Sequence, residues 1–239
     1  MFYASRVEGG RAWIEGDAAR HLRRVLRVAP GMRFEVAGGG RRYLGAVSGA
    51  GRDEVEFELI EELAAPPPPA RTHLLCALLK FEHFEWMLEK ATELGAESIT
   101  PVYSARCGKG LDQAAVKRLD RWRRIVHESG QQSRRVCPPA LGGPVRLKQA
   151  LAAEGEVRLW LDEERGPPPL LGALPPARTN GQRVLLLCGP EGGWEEEERA
   201  LAREAGWSPA SLGPLVLRAE TAALAALAVV NAAWADSAV

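Results

Sequence analysis

The stretch Val184–Glu198, VLLLCGPEGGWEEEE, constrains the fold more than any other part of the chain. Five apolar residues, Val184 to Cys188, stop at Gly189. Pro190 and Glu191 follow, then Gly192 and Gly193, and then a run of acids. This pattern predicts a strand, a sharp turn with exposed backbone, and a helix N-terminus. In α/β sheets, a loop at the carboxyl end of a strand is where ligands sit. Adjacent glycines leave consecutive amides without side-chain cover. The loop does not read as a phosphate cradle. No Lys follows it, and Glu195 to Glu198 would repel a polyphosphate. The ligand expected here is neutral or cationic on that side.

The 239 residues suffice for one α/β domain of moderate size and a small module. Formal charge balances at 31 basic against 31 acidic residues, so no global basic field advertises nucleic acid. Cys76, Cys107, Cys137 and Cys188 lie far apart, without metal-ligand spacing, which predicts no metal site and suits a reducing cytosol. No secretory signal is visible, and the apolar run Ala222–Val230 is too short to span a bilayer, so the expected location is cytoplasmic.

Residues 1–65 read as a small, mostly β module, with strands at Phe2–Ser5, Arg11–Ile14, Arg33–Val36, Arg42–Ser48 and Glu54–Ile60. A helix over Asp17–Val28 interrupts them, with Asp17 as its N-cap. Leu22, Val25, Leu26 and Ala29 form its apolar stripe. Arg20, Arg23, Arg24 and Arg27 occupy the other side, with no acid from residue 18 to 34. Arg forks onto phosphates, so this stripe reads as an RNA contact ahead of a solvated face.

Four consecutive prolines, Pro66 to Pro69, mark an extended linker at 66–71. The second domain, 72–239, starts with the apolar strand Thr72–Leu79 and the helix Glu82–Leu94, stopped by Gly95. A strand follows at Ser98–Val102. The helix Asp112–Gln132 should bury Val116, Leu119, Trp122, Ile125 and Val126. It carries a second basic face that includes Arg121 and Arg124 and continues into Arg134 and Arg135. Further elements expected are a helix at Leu147–Ala153, strands at Val157–Leu161 and Arg183–Cys188, and a helix at Glu195–Ala205. The chain should close with a strand at Ser211–Leu217 and a small-faced helix at Ala219–Ala235. Asp162–Asn180 reads as a surface excursion without a chemical role. The βα repetition implies a parallel sheet covered by helices. The loops 189–193 and 217–221 then share its carboxyl edge, where a small molecule could sit beside a polyanion.

These residues resemble a known family. Gly189-Pro190-Glu191-Gly192-Gly193, and Leu212-Gly213-Pro214 continuing through Val216-Leu217-Arg218 to Glu220-Thr221-Ala222, look like the paired C-terminal motifs of SPOUT-class methyltransferases. Within that class they are most similar to the RsmE family of ribosomal RNA uridine-N3 methyltransferases. Glu89-Lys90-Ala91-Thr92-Glu93-Leu94-Gly95, Arg121-Trp122, Glu128, Gln131-Gln132-Ser133 and Arg135 fit the same family. So do Phe2-Tyr3 and the His21-Leu22 helix, which match its PUA-like module. The likeness runs along nearly the whole chain in order.

The resemblance implies an α/β protein whose C-terminal SPOUT-like domain is a trefoil-knotted parallel sheet, preceded by a small PUA-like β-barrel domain. It implies S-adenosyl-L-methionine as cofactor, held by backbone groups of Leu187, Gly189, Gly192, Leu212, Gly213 and Leu217. Implied partners are 16S rRNA within the 30S subunit and a second copy joined through the C-terminal domain, with neither membrane nor DNA. Arg218, Arg135 and Glu220 are the implied catalytic candidates. Arg20, Arg23, Arg24, Arg27, Arg121, Arg124 and Arg134 are the RNA-binding ones. His73, His83 and His127 stand outside the cofactor motifs. The family's usual Arg after Gly-Pro is Leu215 here. Two other readings share these motifs: methylation at another position such as a ribose 2′-OH, and a non-catalytic RNA-binding or assembly factor.

Overall fold

In the computed structural model the described residues are 1–64, 70–108, 110–164, 166–179 and 181–234. Pro66–Pro69 of the expected linker lie outside them. The chain divides into two compact units. One comprises residues 1–67 and 130–138, the other 68–129 and 139–239.

The N-terminal unit is built on six strands: β1 (Phe2–Tyr3), β2 (Arg6–Glu8), β3 (Arg11–Glu15), β4 (Arg33–Gly38), β5 (Arg41–Ala50) and β6 (Glu54–Leu63). Their order is β1-β4-β5-β6-β3-β2, with β1 parallel to β4 and the other pairs antiparallel. β1 and β2 lie at opposite edges yet are joined by two residues, so the sheet must curl until its edges meet. Period-two alternation puts Ala12, Ile14, Val55 and Phe57 inside, where they pack with Leu22 and Val36.

The helix of this unit, α1, spans Gly16–Arg24 and is shorter than its apolar pattern predicts. Glu15, not Asp17, takes the N-cap position, and no side chain caps the helix. Val25 and Leu26 fall beyond the last turn and are exposed, and Arg27 adopts a left-handed φ of 51°. Only Ala19 and Leu22 are buried from this helix.

The C-terminal unit holds β7 (Arg71–Ala77), α2 (Phe81–Glu93), β8 (Ser98–Tyr103), α3 (Leu111–Gln132), β9 (Ala140–Leu141), β10 (Val145–Arg146) and α4 (Leu147–Leu151). It continues with β11 (Val157–Leu161), α5 (Leu170–Ala173), β12 (Arg183–Cys188), α6 (Glu196–Glu204), β13 (Ser208–Ala210) and α7 (Ala219–Ala233). The end of α3 passes into the N-terminal unit. Every strand pair is parallel, in the order β10-β8-β7-β12-β11-β13, with β9 beside β8. β7 and β12 are central, and their near-continuous apolar runs are what burial on both faces demands. The two carboxyl ends therefore open side by side.

Three expectations are corrected. The last strand is Ser208–Ala210, and Ser211–Leu217 is a loop. Pro209 is accommodated because β13 is an edge strand, while Gly213 and Pro214 break the later stretch. Asp162–Asn180 is not all surface: Asp162, Leu170 and Leu174 are buried, while Arg165 and Asn180 lie outside the described residues. In α3, Trp122 is buried against Phe81 and Phe84 and Val126 is also buried, but Val116 is exposed. In α7, Ala223, Ala226, Leu227 and Val230 face the core; Ala235 lies outside the described residues.

Candidate active site

β12 delivers the glycine loop. Its last residue, Cys188, is in register with Cys76 of β7, and both thiols are buried. The contact with Cys76, together with burial, pushes the Cys188 thiol up, so it stays a neutral packing group. The loop then folds back, with the Gly193 amide donating to the Pro190 carbonyl at 3.0 Å and Gly193 at φ 70°.

Three contacts brace this loop. Trp194 is buried and donates its indole N–H to Leu161 O at 2.8 Å, fixing the loop to β11. Arg106, after β8, donates to Gly192 O at 2.8 Å and faces Glu195 at 3.5 Å. Glu198 accepts the Ala105 amide at 2.8 Å and the Glu195 amide at 3.1 Å. The Glu195–Glu198 pair forms a capping box on α6, and Glu196 pairs with Arg203. The acidic run thus serves the helix end.

The facing wall is the loop 211–217. Ser211 ties it to the segment before α5 through backbone bonds with Pro168 and Leu170. Beyond Ser211 the wall is apolar and open, with Leu215 and Val216 both 78% exposed. Between the walls lies a cavity of about 630 Å³, within the usual range for small-molecule sites. Leu161, Leu212, Val216, Leu217 and Ala222 supply apolar surface to it, and Asp162, Glu163, Glu191 and Glu220 supply acids. Arg218 and Lys80 are its basic members.

Its buried end carries an unsatisfied pair. Glu220 opens α7 with its side chain only 9% exposed, and its Oε2 has no hydrogen-bond partner among the described residues. His83, on α2, turns Nδ1 to within 3.4 Å of Glu191 Oε1 and 3.6 Å of Glu220 Oε1, again without hydrogen-bond geometry. Buried polar atoms without partners call for an explanation, and an incoming ligand is a physical one.

Of the residues picked from sequence, Gly189, Gly192, Leu212, Gly213, Leu217, Arg218 and Glu220 line this cavity. Leu187 packs in the core below the loop and contributes no side-chain lining. Arg135 belongs to the N-terminal unit, where it donates to Cys137 O and its carbonyl accepts the Tyr3 hydroxyl at 3.0 Å. Arg20 is tied to Asp17 and Asp53, and Arg23 to the Arg52 carbonyl. Arg121 pairs with Glu85 at 2.8 Å, and Arg134 with Glu35 at 3.4 Å. Arg24, Arg27 and Arg124 are drawn into no ion pair among the described residues. Sequence reasoning set His83 aside because it lies outside the cofactor motifs, and missed Lys80, Asp162 and Glu163, all of which line the cavity. Lys80 and His83 follow β7, and only the adjacency of β7 and β12 brings them to the glycine loop.

Comparison with known proteins gives the same picture. An RNA methyltransferase domain matches residues 66–231, and an RNA methyltransferase PUA domain matches 14–60. The fold and pocket therefore define a two-unit RNA methyltransferase. A ribosomal RNA small subunit methyltransferase E from Mycobacterium tuberculosis is 33% identical over 97% of this chain and 90% of its own length. One from Aquifex aeolicus is 29% identical over 96% of this chain and 97% of its own. A Neisseria gonorrhoeae enzyme of that name, solved bound to S-adenosyl methionine, superposes with a TM-score of 0.86 at 30% identity, covering 98% of this chain and 97% of that one. The chain belongs to the ribosomal RNA small subunit methyltransferase E family.

Proposed function

We propose that this enzyme transfers a methyl group from S-adenosyl-L-methionine to N3 of a specific uridine in 16S rRNA, within the assembled 30S subunit. We further propose that it works as a cytoplasmic homodimer joined through the C-terminal domain; no helix among the described residues is long and apolar enough to cross a membrane. One observation carries the reading: a cavity at the carboxyl edge of a parallel sheet, walled by the glycine loop and by loop 211–217, that is acidic and apolar. A phosphate chain would find no Lys at the loop and several carboxylates against it. A cofactor with an apolar ring and a sulfonium fits the same residues. Leu212, Val216 and Leu217 would hold the ring, and the carboxylates favour the cationic end. When bound, the cofactor supplies an electrophilic methyl group.

The chain's own residues do the rest. A uracil N3 is engaged in Watson–Crick pairing, so the target base must be unpaired or displaced before it reaches the pocket. Arg218, at the N-cap of α7, stands at the cavity to stabilise charge developing on a uracil oxygen. Glu220 stands deeper. Among the RNA-binding candidates, Arg24, Arg27 and Arg124 can turn to phosphate without breaking an ion pair or a side-chain hydrogen bond to another described residue, and Arg23 by giving up only its bond to the Arg52 carbonyl. The test is to incubate the purified protein and labelled cofactor with 30S particles that lack the modification, then to identify the product nucleoside. N3-methyluridine supports the reading. Cofactor binding without that product overturns the substrate assignment, and a 2′-O-methylated nucleoside would replace it.

A further inference from the structure

We propose that His83 accepts the proton that uridine N3 loses during methyl transfer, a step that rests on the uridine reading above. N3 holds its proton at neutral pH and has no free pair for a methyl group until that proton is drawn off. A proton acceptor must therefore reach into the cavity. His is the side chain most often used for this task.

His83 stands among carboxylates within reach of its ring nitrogens, without a formed hydrogen bond to any of them among the described residues. Its Nδ1 faces Glu191 Oε1 at 3.4 Å, from the glycine loop, and Glu220 Oε1 at 3.6 Å, from α7. Its Nε2 lies 3.7 Å from Glu82 of its own helix, and Lys80 and Arg218 line the same cavity. With Nδ1–H turned to the carboxylates, the Nε2 pair is the base, and the carboxylates hold the imidazolium once it forms. This is the logic of a nucleophile–His–carboxylate triad, with N3 as the nucleophile. Such contacts are often long before substrate arrives and tighten in the complex.

Accessibility separates the two groups. The His83 side chain is 29% exposed and that of Glu220 only 9%, so an incoming base meets the imidazole, and Glu220 becomes a positioning residue. As the proton passes to His83, the N–H electron pair remains on N3. That pair forms the N–CH3 bond while the S–CH3 bond breaks and returns its electrons to sulfur. The imidazolium later gives its proton to water.

The test compares wild type, His83→Ala, His83→Gln and Glu220→Gln in single-turnover methylation of unmodified 30S particles, with cofactor affinity measured separately by calorimetry. We expect both His83 variants to bind cofactor like wild type and to transfer the methyl group about a hundredfold more slowly, or worse. Added imidazole should restore part of the activity of His83→Ala. Glu220→Gln should slow transfer less than either His83 variant, and added imidazole should not restore its rate. Unchanged transfer in both His83 variants overturns the proposal. So does a loss of transfer that tracks a loss of cofactor affinity, which would make His83 a cofactor contact. If wild type itself yields no N3-methyluridine, the uridine reading has failed, an outcome seen before any variant is made.

Discussion

Arg199 Nε lies 3.1 Å from Asp162 Oδ2, and both side chains are almost wholly buried, at 6% and 3% exposure. Asp162 follows β11 and lines the cavity, and Arg199 sits one turn into α6. The guanidinium also donates to Trp194 O at 2.8 Å, and Trp160 donates to the same carboxylate at 3.3 Å. One ion pair thus joins the strand, the helix and the tryptophan that pins the glycine loop.

Removing Arg199 leaves the Asp162 carboxylate buried without its cation, and Arg199→Ala should destabilise the C-terminal unit by about 3–5 kcal/mol. Asp162→Ala should cost less, because Glu163 and Glu164, each 3.3 Å from the guanidinium, still face Arg199. Replacing both with apolar residues of similar volume should cost much less. Urea unfolding of the two single variants and the double variant checks this; additive losses would contradict it.

The same pair sets an acid limb of stability. Burial is the largest single influence and would push the Asp162 carboxyl up, but the hydrogen bonds from Arg199, the Glu164 amide and Trp160, with the Arg199 charge, together outweigh it and hold the carboxyl below its ordinary range. Its contribution is therefore complete above the unfolded Asp value of about 3.9 and is lost as pH falls through the lower folded value. Asp162→Asn should be less stable at neutral pH and show a flatter decline below pH about 4. Melts across pH 2–7 read this directly.

Gly189 leaves room for the Trp194 indole. A Cβ there would stand 3.0 Å from the indole, which is buried and bonded to Leu161 and cannot swing aside. Gly189→Ala should cost about 1–3 kcal/mol through overpacking and should weaken cofactor binding by displacing the loop. Calorimetry and thermal melts on one sample separate the two effects.

Arg106 holds the same loop from the other side. Arg106→Ala loses the bond to Gly192 O and the pairing with Glu195. Its side chain is half exposed, so the effect should be modest: stability nearly unchanged and cofactor affinity about five- to tenfold lower. Unaltered affinity would show that the loop holds its shape without this brace.

The arginines should not contribute equally to RNA binding. Arg24→Gln, Arg27→Gln and Arg124→Gln should each lower affinity and reduce the log–log salt slope by about 0.7–0.9 for each phosphate no longer neutralised. Arg20→Gln and Arg121→Gln should do less, since both are held by carboxylates. Salt titrations of RNA binding rank them.

What the sequence made legible follows from how strongly each stretch was patterned. Arg183–Cys188 is a strand at its expected bounds because a fully buried run bounded by glycine admits little else. Loop 211–217 misled for a physical reason: Leu212, Val216 and Leu217 are apolar as strand residues are, but they face a ligand cavity, and β13 is three residues long with Pro209 in its middle. The stripe through Val25 and Leu26 outran its helix because periodicity registers apolar spacing and not where the backbone turns, here at Arg27. Asp162 was silent, and His83 was set aside, because their place in the site depends on strand order, which no local pattern encodes. Most of the glycine-motif residues and Glu220 were found directly, whereas Asp162, Glu163 and Lys80 were not, and His83 was set aside.

The two walls of the cavity differ in kind. The glycine loop is anchored by Trp194, Arg106 and Glu198. Residues 212–217, by contrast, enter no backbone–backbone hydrogen bond among the described residues. Ligand capture should therefore be asymmetric: one side is braced in advance, and the other, tied at Gly213 through the Ser211 hydroxyl at 3.2 Å, should take most of the ordering. Amide exchange should slow at 212–217 on cofactor binding and change little at 189–193. The escape of spent cofactor, and with it the interval between turnovers, is governed by how readily that one segment lets go.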